Sequence, residues 1–380
     1  MRILTGKTIL LLTAFCILCA GSAYAQKGEY VTDERVYAKA RIVKIEETQV
    51  ERSQGILLSE TRIQLEILDG EMKGMKKTAI FGGESDLPEE MRYRVGDTVF
   101  VGIARNSSAN TTEYVSIYDM DNTAGIIILV TLLVIAVVLI GRLKGAASLL
   151  ALIITILLLF LVLIPLTLRG FPPLPIAVGI SFISIIITLP IIAGFKLKTL
   201  AAVMGAAGGI LVASVLALAS GYLMHLSGIV TNDMLTVFYA SDVNIDIRGL
   251  VLSGMIIAAL GAIMDICISI SSSAAEIFRA NPLIPERDAL KSVLTVGTDI
   301  LGSMVNTLIL AYVGSSLSLI LWITMRLQPG MSFWMVLNYN PVLSEIVKSV
   351  IGSLGMFASI PLTALFAVKL YRAKPGRKIT

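Results

Sequence analysis

The sequence predicts a mainly α fold: a polytopic helical membrane bundle of about seven spans, joined to a small extracytoplasmic β-barrel or sandwich. Three observations lead there. Hydrophobic residues fill 56% of the 380 positions and charged residues only 15%, with a mean hydropathy of +0.83. That balance belongs to multi-span membrane proteins. From Ala124 onward, apolar segments follow one another at about the 20 residues a helix needs to cross hydrocarbon. Ahead of them lies one polar stretch whose apolar residues recur at every second position, as strands require.

Residues 1–25 have the layout of a secretory signal peptide. Arg2 and Lys7 supply the positive end, residues 9–20 the apolar run, and Ala23-Tyr24-Ala25 the small-x-small cleavage pattern. An uncleaved anchor helix is the competing reading. Residues 26–122 form the polar domain. Its expected strands are 36–45, 61–68 and 98–103, separated by turn signals at Asp69-Gly70, Gly82-Gly83 and Gly96-Asp97. Asn106-Ser107-Ser108 and Asn110-Thr111-Thr112 match the glycosylation pattern but read as ordinary loop residues.

Residues 123–372 form the membrane domain, with spans expected at 124–141, 146–168, 174–194, 199–223, 250–275, 298–323 and 349–370. Gly205, Gly208 and Gly209 offer a small-residue face on which a neighbouring helix can pack closely. Charge sets the orientation. The connections after alternate spans carry Arg142 and Lys144, then Lys196 and Lys198, then Arg279, Arg287 and Lys291, and finally the basic tail 373–380. The other connections carry few cations. The positive-inside rule therefore places the C-terminus in the cytoplasm and the β domain outside a plasma membrane.

Two successive spans carry polar groups that lipid would reject. Counting from Asp265, Ser269, Ser272 and Glu276 fall at i+4, i+7 and i+11, along one helix face. Gly261 and Gly254 extend that face the other way as expected packing positions. In the next span Asp299, Ser303 and Asn306 repeat the pattern at i, i+4 and i+7. A carboxylate at the centre of a span costs about 2.5–3.5 kcal/mol on insertion scales. A hydrogen bond between membrane helices returns only about 0.6 kcal/mol, so stability alone is a weak reason to keep one there. Asp265, Asp299, Asn306 and Glu276 are thus the candidate ion- or proton-binding residues, with Ser269, Ser272 and Ser303 along the polar path. Asp265 and Asn306 are expected to face each other.

Three stretches carry a resemblance to a known family: AALGAIMDICISISSSAAEI (258–277), VGTDILGSMVNTLILAYVGSSL (296–317) and EIVKSVIGSLGMFASIPLTALFA (345–367). They resemble the YibE/F-like family of multi-pass bacterial membrane proteins, over most of the chain and including the outer β domain. One position departs from the family pattern: Thr298 stands before Asp299 where a basic residue is usual. The resemblance implies an architecture and no particular activity.

The composition excludes other classes. No Gly-rich phosphate loop, zinc-spaced Cys/His set or Ser/His/Asp arrangement occurs. The two acids lack the company an intramembrane enzyme requires, so the sequence points away from an enzyme and calls for no cofactor. The net charge of +4 follows membrane sidedness rather than nucleic-acid binding. The expected partners are the lipid bilayer and a small ion or solute, which makes the chain a transporter or channel. The alternative is an envelope assembly or sensory protein whose outer domain binds an extracytoplasmic protein partner.

Overall fold

The computed structural model describes residues 34–52, 56–82, 93–105, 114–229, 245–326 and 330–373. The signal-peptide residues 1–25, Gly83 of the second turn signal, both glycosylation patterns and the tail beyond 373 lie outside them. The chain divides into two compact units, one running from Gln26 to Val137 and the other holding Val138–Thr380. The division falls about four helical turns beyond the boundary expected at residue 122, at 3.6 residues per turn. The start of the first helix groups with the sheet.

The first unit is a five-stranded antiparallel sheet of β1 (Glu34–Arg52), β2 (Ile56–Ile67), β3 (Lys76–Gly82), β4 (Thr98–Arg105) and β5 (Tyr114–Met120), in the order β3-β2-β1-β4-β5. Alternation dictates the inner face. Ala38, Ala40 and Ile42 of β1, Ile63, Leu65 and Ile67 of β2, and Val99, Val101 and Ile103 of β4 are all buried. A fourth strand returning beside the first is the Greek-key arrangement. The outer strands β3 and β5 come near each other, which curls the sheet into a half-open barrel. The sequence pattern reveals the three central strands and misses β3 and β5. Those two are edge strands with one inward residue apiece fully in the core, Ala79 and Val115, so their alternation is weak.

Lys39 of β1 reaches Asp121, just past β5, at 2.8 Å. Asp121 also accepts from the Thr123 backbone N–H at 3.1 Å, closing the start of the first helix. The hydrogen bond from Lys39, followed by those from Thr123, holds the Asp121 carboxyl at about 2, below its ordinary 3.8. A depressed folded-state value means the contribution to stability is present above about pH 4 and is lost as pH falls toward 2. Asp121→Asn is therefore expected to weaken protection of the β1 amides at neutral pH. Wild type and variant should converge near pH 2 in peptide-resolved hydrogen exchange. A difference that persisted unchanged at pH 2 would contradict this account.

The second unit is helical. Helix α1 (Thr123–Leu158) loses helical geometry at Arg142, where φ is 48° and ψ −133°. It then passes through a wide π-type turn, Leu159–Leu163, into α2 (Ile164–Leu168). Pro165 accounts for the widening, because its ring cannot fit against a regular preceding turn. The remaining helices are α3 (Pro173–Ala193), α4 (Leu197–Leu223), α5 (Ile247–Ala280), α6 (Glu286–Ser315), α7 (Leu317–Arg326), α8 (Phe333–Leu337) and α9 (Asn340–Arg372).

Among the described residues, 6 helical segments are long and apolar enough to cross a membrane, where the sequence predicts about seven spans. The difference lies in Thr123–Leu168, a 46-residue segment that takes in both of the first two expected spans. At 1.5 Å per residue it is about 69 Å long, more than twice the hydrocarbon thickness of about 30 Å. Two other helices begin earlier than their spans. Helix α6 starts at Glu286 rather than 298, and α9 at Asn340 rather than 349, because the charged residues early in each (Glu286, Arg287, Asp288 and Lys291; Glu345 and Lys348) hide the helix start from hydropathy.

The core sits where α4, α5 and α9 meet. A Cβ at Gly205 would overlap the Thr363 side chain and lie 2.8 Å from its Cα. One at Gly209 would lie 2.8 Å from Ser359 Cβ and 3.0 Å from the Gly355 carbonyl oxygen. These glycines of α4 seat α9 backbone to backbone, the contact that small residues permit. Thr363 donates to the Ser359 carbonyl at 2.7 Å and lies 3.2 Å from the sulfur of Cys267 on α5. Gly254 and Gly261 of α5, expected to pack in the same way, have nothing within 4 Å of a Cβ. They look outward.

Candidate functional site

Helix α5 begins at Asp246, whose carboxylate accepts from the Gly249 N–H at 2.8 Å. Its neighbours can be read residue by residue. Ile263 meets Gly209 of α4 and Gly355 of α9, Cys267 meets Thr363 of α9, Met264 lies 3.3 Å from Thr188 of α3, and Ile270 touches Gly297 of α6. Among the described residues, those contacts leave one largely exposed strip of α5. The strip is the polar stripe: Gly254, Gly261, Asp265 and Glu276 are exposed, and Ser269 and Ser272 are half-buried.

Asp265 has no side-chain hydrogen bond or ion pair among the described residues; only its backbone carbonyl is engaged, accepting from Ser269 at 2.9 Å. Ser272 stands 3.3 Å from the Lys198 ammonium. Glu276 pairs loosely with Arg279 at 3.6 Å, with both side chains mostly exposed. Asp265 lies about 16 Å along the helix from Glu276, at 1.5 Å per residue. That is near the middle of a bilayer-crossing helix.

Helix α6 carries the second stripe. Val293 and Gly297 are buried on its inner side, while Asp299, Ser303 and Asn306 are exposed on the opposite side. Glu286 at the start of α6 pairs with Arg372 at the end of α9 at 2.8 Å. Asp299 therefore lies about 20 Å along α6 rather than at its start.

The expected pairing of Asp265 with Asn306 does not form. No hydrogen bond joins them among the described residues, and both are exposed. The reason is register and rotation. Gly297 of α6 touches Ile270 of the antiparallel α5, which puts Asp265 level with Gly302, one turn from Asn306. Asn306 also turns away from the side on which α6 packs. The two stripes share a depth range but not a common cleft.

A different charged group lies between α6 and α9. Lys348 donates to both Glu345 oxygens at 3.1 Å, with each side chain 26% exposed. Its ammonium sits 4.9 Å from the centre of the Tyr312 ring. The Tyr312 hydroxyl is buried with no hydrogen-bond partner among the described residues. Lys348 and Tyr312 were not singled out by the sequence. The i,i+3 spacing of Glu345 and Lys348 just before a glycine-rich run was the available signal.

Chemically, the stripe on α5 offers the Asp265 carboxylate about midway along the helix, with no donor satisfying it among the described residues. Such a group can take up a cation or a proton. The YibE/F-like protein family matches residues 129–373 of the chain. The match takes in both stripes and the Glu345–Lys348 pair but leaves the sheet outside, so the family likeness stops short of the β domain it was expected to include. No curated protein and no solved structure matches the chain.

Proposed function

This chain belongs to the YibE/F-like family, and from that premise we propose that it is a transporter or channel for protons or a small cation. In this reading it has seven spans, the break at Arg142 separating the first two. The sheet lies outside a bacterial plasma membrane and the C-terminus lies in the cytoplasm. The alternation of basic connections supports that orientation.

One observation carries the functional reading. Asp265 stands about midway along α5, on a largely exposed strip of that helix, and has no side-chain partner among the described residues. An ionisable group placed so in a membrane protein serves a pathway by default. The strip leads from Glu276 past Ser272 and Ser269 to Asp265, a line of oxygens that can exchange with the water shell of a cation. Asp299 is a second carboxylate at similar depth on α6, outside this strip.

The rival reading, an envelope assembly or sensory protein, is favoured by one feature. The sheet is a compact unit of its own and stands outside the matched residues. Reconstitution of the full chain into liposomes tests the proposal. Proton or cation flux above that of empty vesicles is expected, and it should survive deletion of residues 27–122. Folded, reconstituted protein that moves neither protons nor any common monovalent or divalent cation would end the transport reading.

A further inference from the structure

Helix α6 carries a face whose polar groups the chain itself does not satisfy. Opposite its buried side, Thr295, Asp299, Gly302, Ser303, Asn306 and Thr307 are all exposed. Thr295 and Thr307 turn their hydroxyls back onto their own helix, donating to the Lys291 and Ser303 carbonyls at 3.0 and 2.9 Å. The side chains of Asp299, Ser303 and Asn306 have no partner among the described residues. Hydrocarbon against this face would leave the Asp299 and Asn306 side chains without a hydrogen bond, which a bilayer penalises heavily.

The occupant of this face must therefore bring donors and acceptors. The helical residues 124–141 offer only one such group, the Thr131 hydroxyl, against three. A second copy of the chain can supply donors and acceptors. A serine hydroxyl and an asparagine amide each donate and accept, so a face built from Ser303 and Asn306 is complementary to itself. Copies inserted in the same orientation are related by a twofold axis along the membrane normal. That symmetry runs the two α6 helices parallel and brings each residue to the depth of its counterpart. Gly302 and Ser303 allow the backbones to approach closely.

We propose that α6 is the contact helix of a parallel homodimer, in which Asn306 and Ser303 hydrogen-bond to their counterparts across the twofold axis. Asp299 then lies one to two turns from that contact at the same depth in both copies, where like charges repel. The attraction rests on the amide and hydroxyl, not on the acid. The inference requires only that α6 lies in the bilayer, and it stands or falls independently of transport.

Oxidative cross-linking of the full chain in its native membrane tests this. Ser303→Cys and Asn306→Cys are expected to yield a covalent dimer. The parent chain, with Cys16 and Cys19 replaced by serine in every variant and its remaining Cys267 buried, and Ile186→Cys on the exposed side of α3 should not. Adding Asn306→Leu to Ser303→Cys should slow cross-linking about threefold through loss of the interhelical hydrogen bond, whereas adding Asp299→Asn should not slow it. The proposal is overturned if neither α6 cysteine gives a dimer or if Ile186→Cys cross-links as fast. It is equally overturned if the α6 cysteines are shielded from a maleimide yet never cross-link, which would mean that another segment covers the face.

Discussion

Asp265→Asn is expected to reduce proton or cation flux by on the order of tenfold or more while leaving the bundle folded. The amide has the shape of the carboxylate but cannot carry its charge or exchange a proton, and charge is what a carboxylate contributes to a cation path. The folded state has little to lose from the change. Asp265 makes no side-chain hydrogen bond among the described residues, so the stability cost should stay within about 0.5 kcal/mol, as for substitutions away from packed features. Asp265→Leu should be equally inactive and no less stable, because no partner is left stranded. Flux in reconstituted vesicles, normalised to folded protein, is the measurement. Full flux from Asp265→Asn would remove Asp265 from the pathway. Unfolding of either variant would show that the carboxylate holds the bundle together.

Gly205→Leu should have the largest effect on stability. A Cβ at Gly205 already meets the Thr363 side chain and Cα, and backbone cannot move aside as a flexible side chain can. Overpacking in a dense core typically costs 1–3 kcal/mol, and here the added side chain must also separate α4 from α9. A loss of about 3 kcal/mol or more is therefore expected. The separation would break the approach of Thr363 to Cys267 as well. Gly261→Leu is the matched control: nothing lies within 4 Å of its Cβ, so its midpoint should stay close to wild type in thermal unfolding in detergent. Equal destabilisation by the two changes would mean that the α4–α9 contact is not the close-packed centre.

How much of this was legible in the sequence differs from element to element. Hydropathy located the membrane helices, and strict alternation located β1, β2 and β4, because each of these signals depends on residues close together in the chain. It did not show where α6 and α9 start, since charged residues stand early in both and a hydropathy window cannot distinguish such a helical turn from a loop. It joined or split the first segment according to two basic residues, whereas the backbone at Arg142 marks the interruption directly.

The candidate site divides in the same way. Helical spacing by itself determined that Asp265, Ser269, Ser272 and Glu276 share one face of α5, and that Asp299, Ser303 and Asn306 share one face of α6. It could not determine which face of α5 turns inward. Small residues line both sides: Gly254 and Gly261 on one, Ser253, Ala259, Cys267 and Ala274 on the other. Only the tertiary structure decided that α4 and α9 take the second set and leave the first uncovered. The deciding contacts, Gly205 with Thr363 and Gly209 with Ser359 and Ile263, join residues far apart in sequence. Helix periodicity describes a single cylinder, and a buried face is defined by the partner that packs against it.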